Sequence, residues 1–117
     1  MMFLADDLET YGASVALLAA HSAISLNDAI QMGLRGKRSK YEDHRATIMD
    51  LQTICAEHRV KEMQGVEHLR WLLAMKTDIA YGDRGFAHVV KALDKARKFH
   101  SWAYNNFRGV LHAKDAS

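Results

Sequence analysis

Proline is absent from all 117 residues of this chain. At ordinary usage of roughly 5%, about six would be expected. A helix interior rejects proline because its ring clashes with the preceding turn and removes a backbone donor. A chain with no proline and only 7 glycines is free to run in long helices with short connections. Hydrophobic residues make up 49% and charged residues 26%. That balance supports one compact domain over residues 1–117 and argues against disorder.

Apolar spacing divides the chain into helical segments. Residues 2–9 read as a short helix with Phe3, Leu4 and Leu8 on one side. Thr10-Tyr-Gly12 interrupts it, with Thr10 as an N-cap for the next segment. A long Ala- and Leu-rich helix then runs from about Tyr11 to Leu34, ended by Gly33 and Gly36. Ser39-Lys-Tyr-Glu42 matches the capping box, so a helix should start near Lys40 and reach about His58. Ala46, Ile48, Leu51, Ile54 and Cys55 supply its apolar face. Gln64-Gly65 separates it from a helix over about 66–80, with Val66, Leu69, Leu72, Leu73 and Ile79 inward. Tyr81-Gly-Asp-Arg-Gly85 reads as a turn. The last helix, Phe86 to Leu111, carries Phe86, Val89, Val90, Leu93, Ala96, Ala103, Phe107 and Val110 at helical steps, and Phe99 and Trp102 widen the stripe. No segment alternates convincingly as a strand. The expectation is an all-α fold, an up-and-down bundle of four to five helices.

Charge is distributed unevenly. Net charge is +2, yet residues 1–34 contain no Lys or Arg and carry −4 through Asp6, Asp7, Glu9 and Asp28. The remainder carries 16 cations against 10 anions, which predicts one basic face. The change falls at Arg35-Gly-Lys-Arg-Ser-Lys-Tyr-Glu-Asp-His44. Arg35, Lys37, Arg38 and Lys40 surround a helix end, a turn and a new helix start. A helix N-terminus attracts anions, and added cations strengthen a phosphate site. The same cations also complement a helix C-terminus and keep a turn solvated. Both readings stay open on sequence alone.

Three constellations could carry chemistry. In the first, Arg38 and His44 can act on RNA without metal: a neutral histidine takes a proton from a ribose 2′-hydroxyl while arginine stabilises the phosphorane. The second is a polar seam of Ser14, His21, Ser25 and Asp28 on one face of the long helix. Its small uncharged residues fit either close packing against another helix, within the chain or across a dimer, or a narrow solvated face. The third is Lys76, placed by spacing beside Leu69 and Leu73. It either pairs with a carboxylate, Asp28 being the candidate, or snorkels to solvent. Seven histidines form no paired metal motif, and Cys55-x-x-His58 alone is weak, so neither metal nor cofactor is expected. A single cysteine excludes a disulfide framework. The acidic start lacks a signal-peptide pattern, and the apolar run Ala13 to Ala20 is too short to span a bilayer. These features predict a cytoplasmic protein with no membrane partner.

Taken together, the motifs resemble the small bacterial HEPN-domain proteins. The similar pieces are Ala20-His-Ser-Ala-Ile-Ser-Leu-Asn-Asp-Ala29, Gly36-Lys-Arg-Ser-Lys-Tyr-Glu-Asp-His44, Leu73-Ala-Met-Lys-Thr-Asp-Ile-Ala-Tyr-Gly-Asp83, and the last helix near Trp102-Ala-Tyr. The resemblance implies a four- or five-helix bundle that usually forms a homodimer. It also implies a toxin–antitoxin, defence or stress context. Active members of that superfamily are metal-independent RNases with an Arg-x4–6-His motif, which Arg38 and His44 match in spacing. Their motif lies near the later helices, whereas this pair joins the second and third. Arg84 to His88 and Arg108 to His112 are one residue short. The expectation is therefore a module that binds RNA or a nucleotide through Arg35, Lys37, Arg38, Lys40, His44 and Lys76. The alternatives are an endoribonuclease using Arg38 and His44, or a dimeric antitoxin-like protein that recognises a protein partner.

Overall fold

The computed structural model describes the backbone of residues 4–36, 44–79 and 86–111, and side chains within 14–36, 45–76 and 89–111. These residues form an all-α bundle: α1 (Leu4–Arg35), α2 (His44–Glu57), α3 (Gln64–Ile79) and α4 (Phe86–Asn106). Helix α1 packs chiefly on α4 and α3, and α3 packs on α4. Helix α2 lies mainly on α3 and touches α1 only lightly.

The expected break at Thr10-Tyr-Gly12 does not occur; α1 continues through it for 32 residues. One glycine with helical neighbours costs about 1 kcal/mol, too little to stop a helix rich in alanine and leucine. Gly33 also fails to end α1, because it lies inside the helix where Val110 packs against its bare α-carbon. Gly36 supplies the stop: its φ is 72° and its N–H donates to the Met32 carbonyl at 3.1 Å. Left-handed backbone of this kind suits glycine best.

Helix α2 ends without glycine. The Val60 N–H donates to Cys55 O (2.8 Å) and the Arg59 N–H to Ala56 O (3.3 Å). This is the Schellman pattern, with Arg59 in its left-handed position at φ 58°. A side chain there is strained by its own β-carbon. Arg59→Gly should therefore raise stability by about 0.5–1 kcal/mol, read as a higher urea midpoint with unchanged slope. The chain break expected at Gln64-Gly65 lies earlier, and α3 already begins at Gln64. The Met63 carbonyl accepts both the Val66 and Glu67 N–H groups.

The core is centred on Phe99, Ile30, Leu51, Ile54, Leu69, Leu72 and Leu73, all essentially inaccessible. Helix α4 buries most of its expected stripe, with two exceptions. Val90 and Leu93 are 47% and 48% exposed. The buried line runs through Val89, Ala92, Ala96, Phe99, Trp102, Ala103 and Phe107. Trp102 stacks on Phe99 (centroids 5.7 Å apart) and meets Phe107 edge-on. Its Nε1 donates to the Glu62 carbonyl at 2.8 Å, which fixes the loop before α3. The ring covers Gly65, where a β-carbon would overlap it. Among the described residues, the polar side chains of Asn27, Gln31 and Thr47 are fully enclosed. Asn27 and Gln31 share a line of α1 with Arg35 at steps of four.

Candidate functional site

Arg35 is the one cation of the Arg35–Lys40 cluster whose side chain the structure describes. It is an internal clamp. Its guanidinium spans α2, with Nη1 3.5 Å from Asp50 Oδ1 and Nη2 3.6 Å from Glu57 Oε1. All three groups are partly open to solvent, so each pair adds at most about 1 kcal/mol. Lys37, Arg38 and Lys40, with the Ser39–Glu42 capping box, lie outside the described residues. So does the His44 side chain, although His44 is the first residue of α2.

A cavity of about 290 Å³ opens where α2 begins, between α2 and α3. Ile48, Met49, Leu73 and Ala74 line its apolar part, and Arg45, Gln52 and Arg70 supply polar groups. Helical spacing explains the assembly. Arg45, Ile48, Met49 and Gln52 are three or four residues apart along α2, as are Arg70, Leu73 and Ala74 along α3, so each set shares one face. Met49 is 58% exposed, which leaves thioether surface open to a planar ligand. Arg70 donates to Glu67 Oε1 at 2.6 Å. An exposed pair of this type is worth only about 0.3–0.5 kcal/mol, so a phosphate can replace the carboxylate at small cost. Lys76 is half-buried, as its spacing predicted, but does not line the cavity. The proposed Asp28–Lys76 pair is absent from the ion pairs of the described residues. Asp28 Oδ1 is instead buried without a hydrogen-bond partner.

The polar seam is split. Ser14, His21 and Ser25 are exposed and Asp28 is half-buried. Leu18 (67% exposed) and Met32 (47%) share that outer face of α1. No other described helix covers Leu18 or Met32. Among the described residues Ser14 and His21 stay exposed, while Ser25 borders a groove against α4.

Burial pushes the Cys55 thiol up to about 11, which makes it inert as a nucleophile at neutral pH. Hydrogen bonds from Lys98 and Arg97 hold the Asp94 carboxyl below its usual range. Lys91 sits over the Trp71 ring at 5.3 Å. His68 is held below its ordinary value by burial, then by Lys95 and Lys98, and His100 by burial alone. A histidine with a depressed folded pKa binds fewer protons folded than unfolded. Its contribution is complete above the unfolded value near 6.5 and declines as pH falls from there through the folded value. The thermal midpoint should fall between pH 7.5 and pH 5, and His68→Gln should flatten that slope.

Neither Arg45 nor Arg70 stood out in the sequence. The available signal was the shared face each makes with apolar residues on consecutive helices. Among the described residues no group of three or more His, Cys, Asp or Glu side chains could hold a metal ion. No described helix is long and apolar enough to cross a membrane. No protein-family model, curated protein or solved structure matches the chain.

Proposed function

We propose that this chain is a HEPN-like helical module that binds a phosphate-bearing ligand, RNA or nucleotide, at the α2–α3 cavity. The observation that carries it is the meeting of Arg45 and Arg70 over an apolar floor at the start of α2, directly after the Lys37, Arg38 and Lys40 run. The arginines and the N-terminal end of α2 would hold phosphate. Met49, Ile48 and Leu73 would pack against a base. A volume of about 290 Å³ suits one nucleotide unit. Arg35 is excluded from the ligand set because it holds α2.

The test is titration of a fluorescent mononucleotide and a short single-stranded RNA. Affinity should fall with salt at a log–log slope near −0.7 per phosphate contact on RNA. Arg45→Ser with Arg70→Ser should weaken both ligands at least tenfold. Lys37, Arg38 and Lys40 changed together to Ser should weaken RNA more than mononucleotide. Binding unchanged by either set, or none by the parent protein, overturns the assignment. RNA cut in EDTA and spared by His44→Ala would instead establish the endoribonuclease alternative.

The same proposal takes the protein as a cytoplasmic homodimer joined through the outer face of α1. Support comes from Leu18, His21 and Met32, exposed on a helix with no Lys, Arg, Asp or Glu between Thr10 and Asn27. Leu18→Glu should convert a dimer to a monomer in sedimentation equilibrium; a monomeric parent protein removes this part of the proposal.

A further inference from the structure

Ser22 and His100 meet on the other flank of the molecule, away from the α2–α3 cavity. Ser22 Oγ lies 2.7 Å from His100 Nε2, joining α1 to α4. A serine inside a helix ordinarily turns its hydroxyl back onto the carbonyl one turn earlier. Here the hydroxyl reaches across to the imidazole. Ser22 is exposed and His100 half-buried, so the pair has one open side. It opens on a groove of about 290 Å³, lined also by Ser25, Tyr104, Leu26 and Leu111. Ser25 follows Ser22 by three residues and Tyr104 follows His100 by four, so two further hydroxyls share the groove. Ser22 is one residue from His21, about 100° round the helix, and so lies at the α4 edge of α1's outer face.

The imidazole is in the protonation state that a general base requires. Burial depresses its pKa, so the ring is neutral at pH 7. With its hydrogen on Nδ1, Nε2 accepts the Ser22 hydroxyl. Hydroxyl, neutral histidine, cavity and extra donors converge at one place, which is the arrangement used for nucleophilic catalysis.

We propose that Ser22 is a nucleophile activated by His100, and that the α1–α4 groove accepts small carboxylic esters with their apolar part against Leu26 and Leu111. Ser22 Oγ forms a bond to the carbonyl carbon as its proton passes to His100 Nε2. Ser25 and Tyr104 are the donors available to the developing oxyanion. The ester C–O bond breaks, and His100 returns the proton to the leaving alcohol. Water then attacks the acylated Ser22, giving its proton to His100, and the carboxylic acid departs as Ser22 is reprotonated.

The experiment uses the full chain with an alkyl phosphonofluoridate, which loses fluoride to an activated serine. Intact mass should rise by one adduct, mapped to Ser22. Ser22→Ala should abolish it, Ser14→Ala should retain it, and His100→Gln should slow it at least a hundredfold, the scale of a lost general base. Circular dichroism checks that each variant folds. The parent's labelling rate should rise with pH and level off, with its inflection below 6.5. That profile carries the test if His100→Gln unfolds. Hydrolysis of p-nitrophenyl acetate should be lost in Ser22→Ala. No adduct, an adduct elsewhere, a rate indifferent to pH between 5 and 7.5, or labelling unchanged in a folded His100→Gln overturns the proposal and leaves the contact as a tie between helices.

Discussion

Trp102→Ala should lower the stability of the bundle by about 3–5 kcal/mol. The indole stacks on Phe99, meets Phe107 edge-on and is only 6% exposed. Its removal withdraws the largest side chain from the contact between α4 and the start of α3. It also releases the Glu62 carbonyl, which accepts the Nε1 hydrogen bond. Neighbouring rings cannot collapse into the space, because Phe99 is fixed by its own burial. Against a total near 5–15 kcal/mol for a domain, such a loss removes a large share of the stability. Urea unfolding followed by circular dichroism measures it. A loss under about 1.5 kcal/mol, ordinary for a point change, would mean that the ring is not the keystone drawn here. Trp102→Phe should retain most of the apolar contact and lose about 1 kcal/mol for the missing donor.

Gly65→Ala should destabilise by up to about 2 kcal/mol, and its sign should depend on Trp102. Alanine is favoured over glycine in a helix by about 1 kcal/mol. Here its β-carbon would overlap the indole that covers Gly65. Displacing a buried ring costs about 1–3 kcal/mol or more, so the net change is destabilising. In a Trp102→Ala background the obstacle is gone and Gly65→Ala should stabilise by about 0.5–1 kcal/mol. A double-mutant cycle reads this as a coupling of a few kcal/mol between the two positions. Additive effects would contradict the close approach.

Much of the architecture is legible in residue spacing because apolar periodicity reports burial directly. Leu69, Leu72 and Leu73 on α3, and Ile48, Leu51, Ile54 and Cys55 on α2, are all buried where their spacing put them. Spacing is weaker on α4, where two overlapping stripes exist. Val90 and Leu93 fit the helical spacing as convincingly as Ala92 does, yet they are exposed and Ala92 is buried. Only the neighbours' positions choose between the two, and alanines at 92, 96 and 103 let α1 and α3 approach closely. Breaker signals misled at Gly12 and Gly33, because a glycine stops a helix only where its backbone turns, as at Gly36.

The candidate sites were less legible, for a different reason. Arg35 drew attention as part of a charge cluster, yet its two partners, Asp50 and Glu57, lie a helix away. The cavity arginines are separated by 25 positions and become neighbours only when α2 and α3 pair. Ser22 and His100 are 78 residues apart. Charge runs are visible in a sequence; side chains that meet across helices are not.

The thin attachment of α2 bears on when a ligand can enter and leave. An element docked mainly on one neighbour opens at a lower free energy than the rest of the molecule. Amide hydrogens of α2 should therefore exchange with solvent before those of α1 and α4. Exchange should quicken in high salt, which weakens the Arg35 clamp. The α2–α3 cavity exists only while α2 is seated, so an occupant must hold α2 down. At a hundred times its dissociation constant it would slow that opening by about 2.7 kcal/mol, roughly a hundredfold. Exchange rates in α2 thus report occupancy of the cavity without any label on the ligand.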